Sequence, residues 1–456
     1  MKAQTLPVSG AGASAEHAIV AAVALGAMLA PLNSTMIAVA LPRLTAELGA
    51  DAVAAAWLVT AYLIIMAALQ PVAGKLGDRL GRRRLVLAGI AGFGLTSLGA
   101  AFATSLPALI AMRSLQAASG ALAFPNGVAL LREAIPAERR GAHSGMVGGA
   151  VSVAAAVGPA LGGLLVSAAG WRAIFFANLA LAAAALLLGW RSIPGGSPGR
   201  DSRPFDLPGS ALLAALLVGT ALLLMPGGHL PVPAWLGGAG LALGVGLFLW
   251  YESRQPDPAF KPGLFRHRVF AAANAGVGLS NLAMYVTLLV LPVYLGERAG
   301  WDSVRIGLAL AVMSAGSVVF SPLGGRLADR FGRRWPTVAG MALLTLGLLP
   351  PVVDGGAVEP LIGGLALVGA GLGLSGAGLQ ISAVESVGKG EAGVAAGLFS
   401  TSRYLGSIIG SSLLAGMLAP AGGGAGVVFA LAVGAAGAAT LSALALADRP
   451  QSHSGA

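Results

Sequence analysis

The chain has 456 residues, of which 56% are hydrophobic and only 10% charged, with 69 glycines and no cysteine. Soluble domains carry roughly a quarter charged residues, so a soluble protein is excluded; without cysteine, so are disulfides, thiolate metal sites and cysteine nucleophiles. The net charge of +10 invites a nucleic-acid partner, but the basic residues are strung between apolar runs, which ties them to topology and not to DNA.

Apolar runs of about 20 residues cross a hydrocarbon core. Fourteen are read here, at 17–40, 53–73, 85–104, 107–131, 141–168, 171–190, 207–226, 232–251, 268–291, 303–323, 335–353, 359–381, 391–415 and 425–446. With the amino terminus inside, 22 of the 28 Lys and Arg fall on one side of this map. Arg43, Arg172, Arg298 and Arg305 fall on the other, and Arg113 and Arg403 lie within spans. That asymmetry predicts both termini in the cytoplasm. The first 16 residues are polar, and the span after them is too long for a signal-peptide core, so it is expected to remain in the mature protein.

The first span ends in LNSTMIAVALP, residues 32–42. Asn33 there either bonds a neighbouring span or lines a cavity. Between spans two and three lies GKLGDRLGRRR, Gly74–Arg84, which reads as a tight, strongly cationic turn at the membrane surface. A near copy, GGRLADRFGRRW from Gly324, follows 251 residues later. Aligning Asp78 with Asp329 matches Gly74/Gly325, Leu76/Leu327, Arg79/Arg330, Gly81/Gly332, Arg82/Arg333 and Arg83/Arg334. Two such turns, each after the second span of its half, indicate a duplicated bundle.

Span four holds Arg113, with Gln116 at i+3 on the same face. An ionisable residue within a span is functional by default, the alternative being an arginine bonded to backbone carbonyls. Glu133 closes span four and Glu385 closes span twelve, in register, since Gly141/Gly393 and Gly145/Gly397 keep the same spacing after them. Glu133 is expected to pair with Arg79 or Arg82, and Glu385 with Arg330 or Arg333, as an inner gate. Exposed pairs are worth only ~0–1 kcal/mol, which suits a gate that opens thermally. Asp78 and Asp329 are expected at a neighbouring helix N-terminus. Solvated loop charges would explain the arginines but not the registered acids.

Span five contains Gly158-Pro159-Ala160-Leu161-Gly162-Gly163, where small residues permit close helix approach and the proline permits a bend. The Pro/Gly/Arg-rich linker 191–206 and a second linker, 252–267, flank two runs almost without polar side chains; these read as peripheral, lipid-facing helices. In span nine, Asn274 and Asn281 are seven apart on one face, with Met284 and Tyr285 beside Asn281. Leu291-Pro292 mirrors Leu41-Pro42, and Arg403 falls near the middle of span thirteen. The five histidines are scattered and no phosphate-cradling loop appears. An enzyme is not expected.

On these residues the chain resembles the major facilitator superfamily. G-x-x-x-D-R-x-G-R-R, present in both halves, is similar to its signature loop. Arg113–Gly120 resembles its R-x-x-Q-G-x-G motif, with Ala117 and Ser119 replacing glycines. Ala154–Gly163 resembles its antiporter motif, with Ala154 at the first glycine. Residues 32–42 are similar to the first-span motif of its fourteen-span drug:proton antiporters, with Asn33 where Asp is usual and Ala38 where Asn is usual.

The resemblance implies an all-α membrane fold of two pseudo-symmetric six-span halves plus two inserted helices. The segments are a tail 1–16, an N-terminal half 17–190, linkers with the inserted pair 191–267, a C-terminal half 268–446 and a tail 447–456. It implies a monomeric exporter of drug-like or other organic small molecules, working by alternating access in the cell membrane and driven by proton influx, with no cofactor or metal. Asn33, Arg113, Gln116, Asn281, Tyr285 and Arg403 are the expected substrate-cavity residues. Rival readings are an exporter of anionic metabolites using Arg113 and Arg403, and a non-transporting sensor on the same fold. Because Asn33 cannot titrate, Glu133 and Glu385 are the expected carriers of any coupling proton.

Overall fold

The computed structural model describes residues 13–50, 52–135, 139–194, 207–224, 233–255, 260–350, 358–388, 391–418 and 424–448. Six helices make the N-terminal half: α1 Ala13–Leu48, α2 Ala52–Leu80, α3 Arg82–Ala101, α4 Leu106–Ala134, α5 Arg140–Ala169 and α6 Arg172–Ser192. Next come α7 Leu207–Leu224, α8 Ala234–Ser253 and a 3-10 turn, Pro262–Arg266. The C-terminal half is α9 Arg268–Ala299, α10 Ser303–Phe331, α11 Arg334–Gly347, α12 Val358–Glu385, α13 Ala392–Leu418 and α14 Gly424–Ala443. No strand occurs among the described residues. Each helix coincides with one of the apolar runs, and among the described residues eight are long and apolar enough to cross a membrane, with shorter apolar stretches in α2 and α7.

The cationic stretches are not loops, as the sequence reading had them. α2 runs on through Gly74–Leu80 and the chain reverses at Gly81, with φ at 93°. In the same way α10 reaches Phe331, and the reversal falls on Gly332, with φ at 84°. The arginines need only water, which a helix end emerging among headgroups provides, so nothing unwinds the helix before a residue that tolerates positive φ. α11 ends at Gly347, short of the expected 353. Pro350 and Pro351 follow, and neither has an N–H to continue the helical ladder.

The internal repeat is visible in packing. In the first half α1 contacts α4, α5 and α6, α4 contacts α2 and α3, and α3 contacts α6. Eight helices later the same set recurs: α9 with α12, α13 and α14, α12 with α10 and α11, and α11 with α14. The halves meet along two equivalent seams, α5–α10 and α2–α13, with α1 against α9 on the axis between them. Met36 to Leu41 of α1 are all buried, because this helix is enclosed on every side. Such a helix needs no polar face.

α7 packs against both α2 and α13, and α8 packs on α7. Leu217 and Ala221 are the buried hydrophobic residues of α7 among those described, whereas Trp235, Leu243, Leu247 and Trp250 of α8 are exposed. A run of phenylalanines ties α8 to the C-terminal half. Phe248 lies 5.4 Å from Phe260, which stacks at 5.5 Å on Phe265, itself edge-on to Phe270 at 5.1 Å.

Candidate functional site

A cavity of about 360 Å³ lies between the halves, half-way along the helices that bound it. α1, α2, α4 and α5 form one wall, with Ser34, Tyr62, Met66, Phe124 and Val151 facing in. α9 and α13 form the other, with Asn281, Met284, Tyr285, Arg403, Tyr404 and Ser407. Arg403 is the one charged residue among those lining it. Its guanidinium lies 5.5 Å from the centre of the Tyr404 ring, and no carboxylate pairs with it among the described residues. The Asn281 amide donates to Val277 O in its own helix at 3.0 Å. Asn274, one turn-pair away, accepts from Ser402 of α13 at 2.9 Å and so pins α9 to α13.

Of the six residues expected at the cavity, Asn281, Tyr285 and Arg403 line it. Asn33, Arg113 and Gln116 are instead fully buried behind its wall, in one polar network. Asn178 of α6 donates to Asn33 Oδ1 at 2.8 Å, and Asn33 Nδ2 donates to Gln116 Oε1 at 2.8 Å. Arg113 Nη1 donates to the same oxygen at 2.8 Å, while Gln116 Nε2 donates to Ser97 Oγ of α3 at 2.7 Å. Arg113 Nε reaches Leu58 O at 3.4 Å, and its guanidinium sits 4.4 Å from the centre of the Tyr62 ring. Tyr62 therefore stands between the network and the cavity, with its buried hydroxyl unpartnered among the described residues. Helix-to-helix hydrogen bonds in membranes average about 0.6 kcal/mol, whereas a mid-span arginine costs about 2.5–3.5 kcal/mol on insertion scales. One helix-to-helix bond, to Leu58 O, with a bond to Gln116 in its own helix and a ring contact, brings Arg113 no better than break-even.

At the end of the bundle that carries the two arginine-rich reversals, the two repeated glutamates each meet an arginine. Arg82 Nε lies 2.9 Å from Glu133, with 25% and 62% of the side chains exposed. Arg333 pairs with Glu385, at 16% and 42%. Each pair joins the start of the third helix of its half to the end of the fourth. Arg79 is half-buried, and the side chain of Asp78 lies outside what is described. Asp329 and Arg330 are exposed, Arg330 lying over the Phe331 ring at 5.2 Å.

The glycine–proline stretch of α5 is the hinge of two contacts. Gly158 faces Thr35 and Gly162 faces the Met36 backbone, its added Cβ coming to 2.9 Å of Met36 Cα, which seats α5 on α1. Gly163 lies against the Ser303 carbonyl, and the Pro159 carbonyl lies against Gly307, so the same stretch forms the part of the α5–α10 seam nearest the start of α10. On the other seam, Thr60 and Ser411 share a hydrogen bond of 2.9 Å and Gln70 Nε2 donates to Tyr404 Oη at 3.0 Å.

Sequence reasoning missed Ser97, Asn178, Tyr62, Tyr404 and Gln70. The signal for Asn178 was available: it is the one amide in α6, a helix otherwise apolar between Arg172 and its last turn. It also missed Glu47 at the C-terminal end of α1, which pairs with Arg172 and accepts from Trp171 Nε1 at 3.0 Å.

The sequence profile described as Major Facilitator Superfamily matches residues 23–251 and 273–456. The tetracenomycin C resistance and export protein of Streptomyces glaucescens is 32% identical over 87% of this chain and 75% of its own. The multidrug resistance protein Stp of Mycobacterium tuberculosis is likewise 32% identical, over 87% and 75%. Among solved structures, a peptide transporter POT in complex with sulfate superposes with a TM-score of 0.70, covering 93% of each chain at 15% identity, a likeness of fold alone.

Proposed function

The chain belongs to the Major Facilitator Superfamily, a family of transporters and not of enzymes, and on that premise we propose that it exports drug-like organic small molecules across the cell membrane by alternating access. The observation that carries this reading is the cavity between two repeated halves that touch along two equivalent seams. Rocking one half on the other exposes such a site to each side in turn. The export and multidrug resistance relatives support the direction and the substrate class. All fourteen helices span the bilayer in this proposal, with both termini cytoplasmic and the transporter working as a monomer. The segment boundaries 17–190, 191–267 and 268–446 are its functional divisions.

Proton antiport is the driving force that the first-span resemblance implies. Since no carboxylate lines the cavity among the described residues, it would have to pass through Glu133 or Glu385, each releasing its arginine on protonation. Export of anionic metabolites is the second reading, and Arg403 in the cavity wall favours it. A non-transporting sensor is disfavoured by registered gate pairs in both halves. Expression in a drug-hypersusceptible host, scored against a chemically diverse panel, tests export. Protection against some compounds that is lost in Asp78→Asn is the expected result; protection equal in both would leave the alternating mechanism without support.

A further inference from the structure

The charge and the aromatic lining of the seam cavity say more about its cargo, on the export reading just given. Arg403 is the twelfth residue of α13, which at about 1.5 Å per residue places it roughly 16 Å from the cytoplasmic helix end. A guanidinium at such depth is costly unless it has a counter-charge. None of the described carboxylates supplies one: Glu133 and Glu385 are engaged at the inner surface by Arg82 and Arg333. The repeat isolates this charge further. The spacing that aligns Gly141 with Gly393 aligns Val151 with Arg403, and both side chains face the cavity. One half thus presents an aliphatic group where the other presents a cation.

Around Arg403 the walls are aromatic and soft, from Tyr62, Phe124, Tyr285 and Tyr404 with Met66 and Met284 between them. Faces of this kind take planar rings. The Tyr62 hydroxyl is buried at the cavity wall and has no hydrogen-bond partner among the described residues. Arg113 behind it holds the ring in place from the side away from the cavity. A fixed cation, an unpartnered hydroxyl and ring faces converge on one kind of ligand.

We propose that this cavity takes an aromatic monoanion, with Arg403 as its counter-charge and Tyr62 as a donor to it, and that the membrane potential drives the anion outward without an obligatory proton. A negative charge leaving a cytoplasm that is itself negative moves down the field. Each 100 mV shifts its equilibrium distribution by about 50-fold. No titrating carboxylate at the site is then needed, which accounts for Asn33 as the polar residue of the first span.

The test uses the full-length chain in phosphatidylcholine vesicles, which offer no anionic headgroup to occupy Arg403. Vesicles are loaded with 2-naphthalenesulfonate or with (2-naphthylmethyl)trimethylammonium, and an interior-negative potential is set with valinomycin at equal pH on both sides. The sulfonate is expected to leave at least about tenfold faster with potential than without, and to be indifferent to a protonophore when the potential is clamped. Arg403→Met should abolish that flux, Arg403→Lys should restore part of it, and Arg403→Glu should turn preference toward the cation. Sulfonate flux that ignores potential, or that survives unchanged in Arg403→Met, overturns the proposal. Flux of the cation alone in the wild type overturns the site and leaves the export reading standing. Binding of the sulfonate, read by tryptophan quenching, with no flux of either probe overturns the export reading itself.

Discussion

The Arg113 guanidinium lies 4.4 Å from the centre of the Tyr62 ring, and Tyr62 in turn faces the cavity. This contact is how a residue with no surface exposure reaches the cavity wall. Arg113 has no described carboxylate partner, so replacing it by a residue of similar volume removes a buried charge and not a salt bridge. Arg113→Met is therefore expected to melt at the same temperature as the wild type or higher. Transport should nevertheless fall by about tenfold, the size of a lost cation–π contact of roughly 1–2 kcal/mol. A lower melting temperature with normal turnover would make the residue structural.

The two gate pairs predict a different signature. Exposed ion pairs contribute ~0–1 kcal/mol, so Arg82→Ala or Glu133→Gln should leave thermal stability within a few degrees of wild type. Turnover is expected to collapse while probe binding persists, because the pair governs switching and not recognition. The exchange Arg82→Glu with Glu133→Arg should restore part of the activity. Arg333→Ala and Glu385→Gln are expected to behave alike but more mildly. Steady-state efflux alongside probe binding separates the two effects.

Gly163 and Gly307 predict the state the protein adopts when its outer seam cannot close. A Cβ at either position would press on a carbonyl of the facing helix. Such overpacking costs about 1–3 kcal/mol, enough to shift a two-state equilibrium by about fivefold to more than a hundredfold. Gly163→Leu should hold the outer ends of α5 and α10 apart. The chain has no cysteine, so Ser34→Cys can be introduced in the cavity wall as a lone thiol. An impermeant maleimide applied outside is expected to label it several-fold faster in the Gly163→Leu background. Equal labelling rates would remove the close glycine contact from the mechanism.

Topology is the simplest test of the inserted pair. A reporter fused after Arg254 should read cytoplasmic, and one inserted at Gly227 should read external. Both on one side would leave α7 and α8 lying along the surface and a bundle of twelve spans.

Much of the fold was legible because hydropathy marks helices one by one, and the repeated arginine turns gave the offset that relates the halves. Burial was harder to read. Asn33, Arg113 and Gln116 share helix faces that sequence spacing identifies, but a helix enclosed on all sides has no single interior. Spacing cannot say whether an interior face meets a cavity or another helix. Asn178 and Ser97 decide that question here, since they turn the three residues into a closed network behind Tyr62. Arg403 was legible because nothing apolar explains an arginine at that depth. The helical course of Gly74–Leu80 was hidden because cationic glycine-rich sequence resembles a loop, and only the positive φ at Gly81 marks the true bend.

The place of α7 gives the molecule a front and a back in the plane of the bilayer. It touches α2 and α13 together, with α8 outside it, so on the proposed fourteen-span topology one of the two otherwise equivalent seams is walled from acyl chains by two further helices. Both described inserted helices lie on that flank. A membrane-dissolved inhibitor, an annular lipid or a neighbouring protein that acts by wedging between the halves therefore has the α5–α10 flank to work on. The near-symmetry of the two halves does not extend to their surroundings: the proposed rocking motion would shear bare lipid on one side and a fixed protein wall on the other.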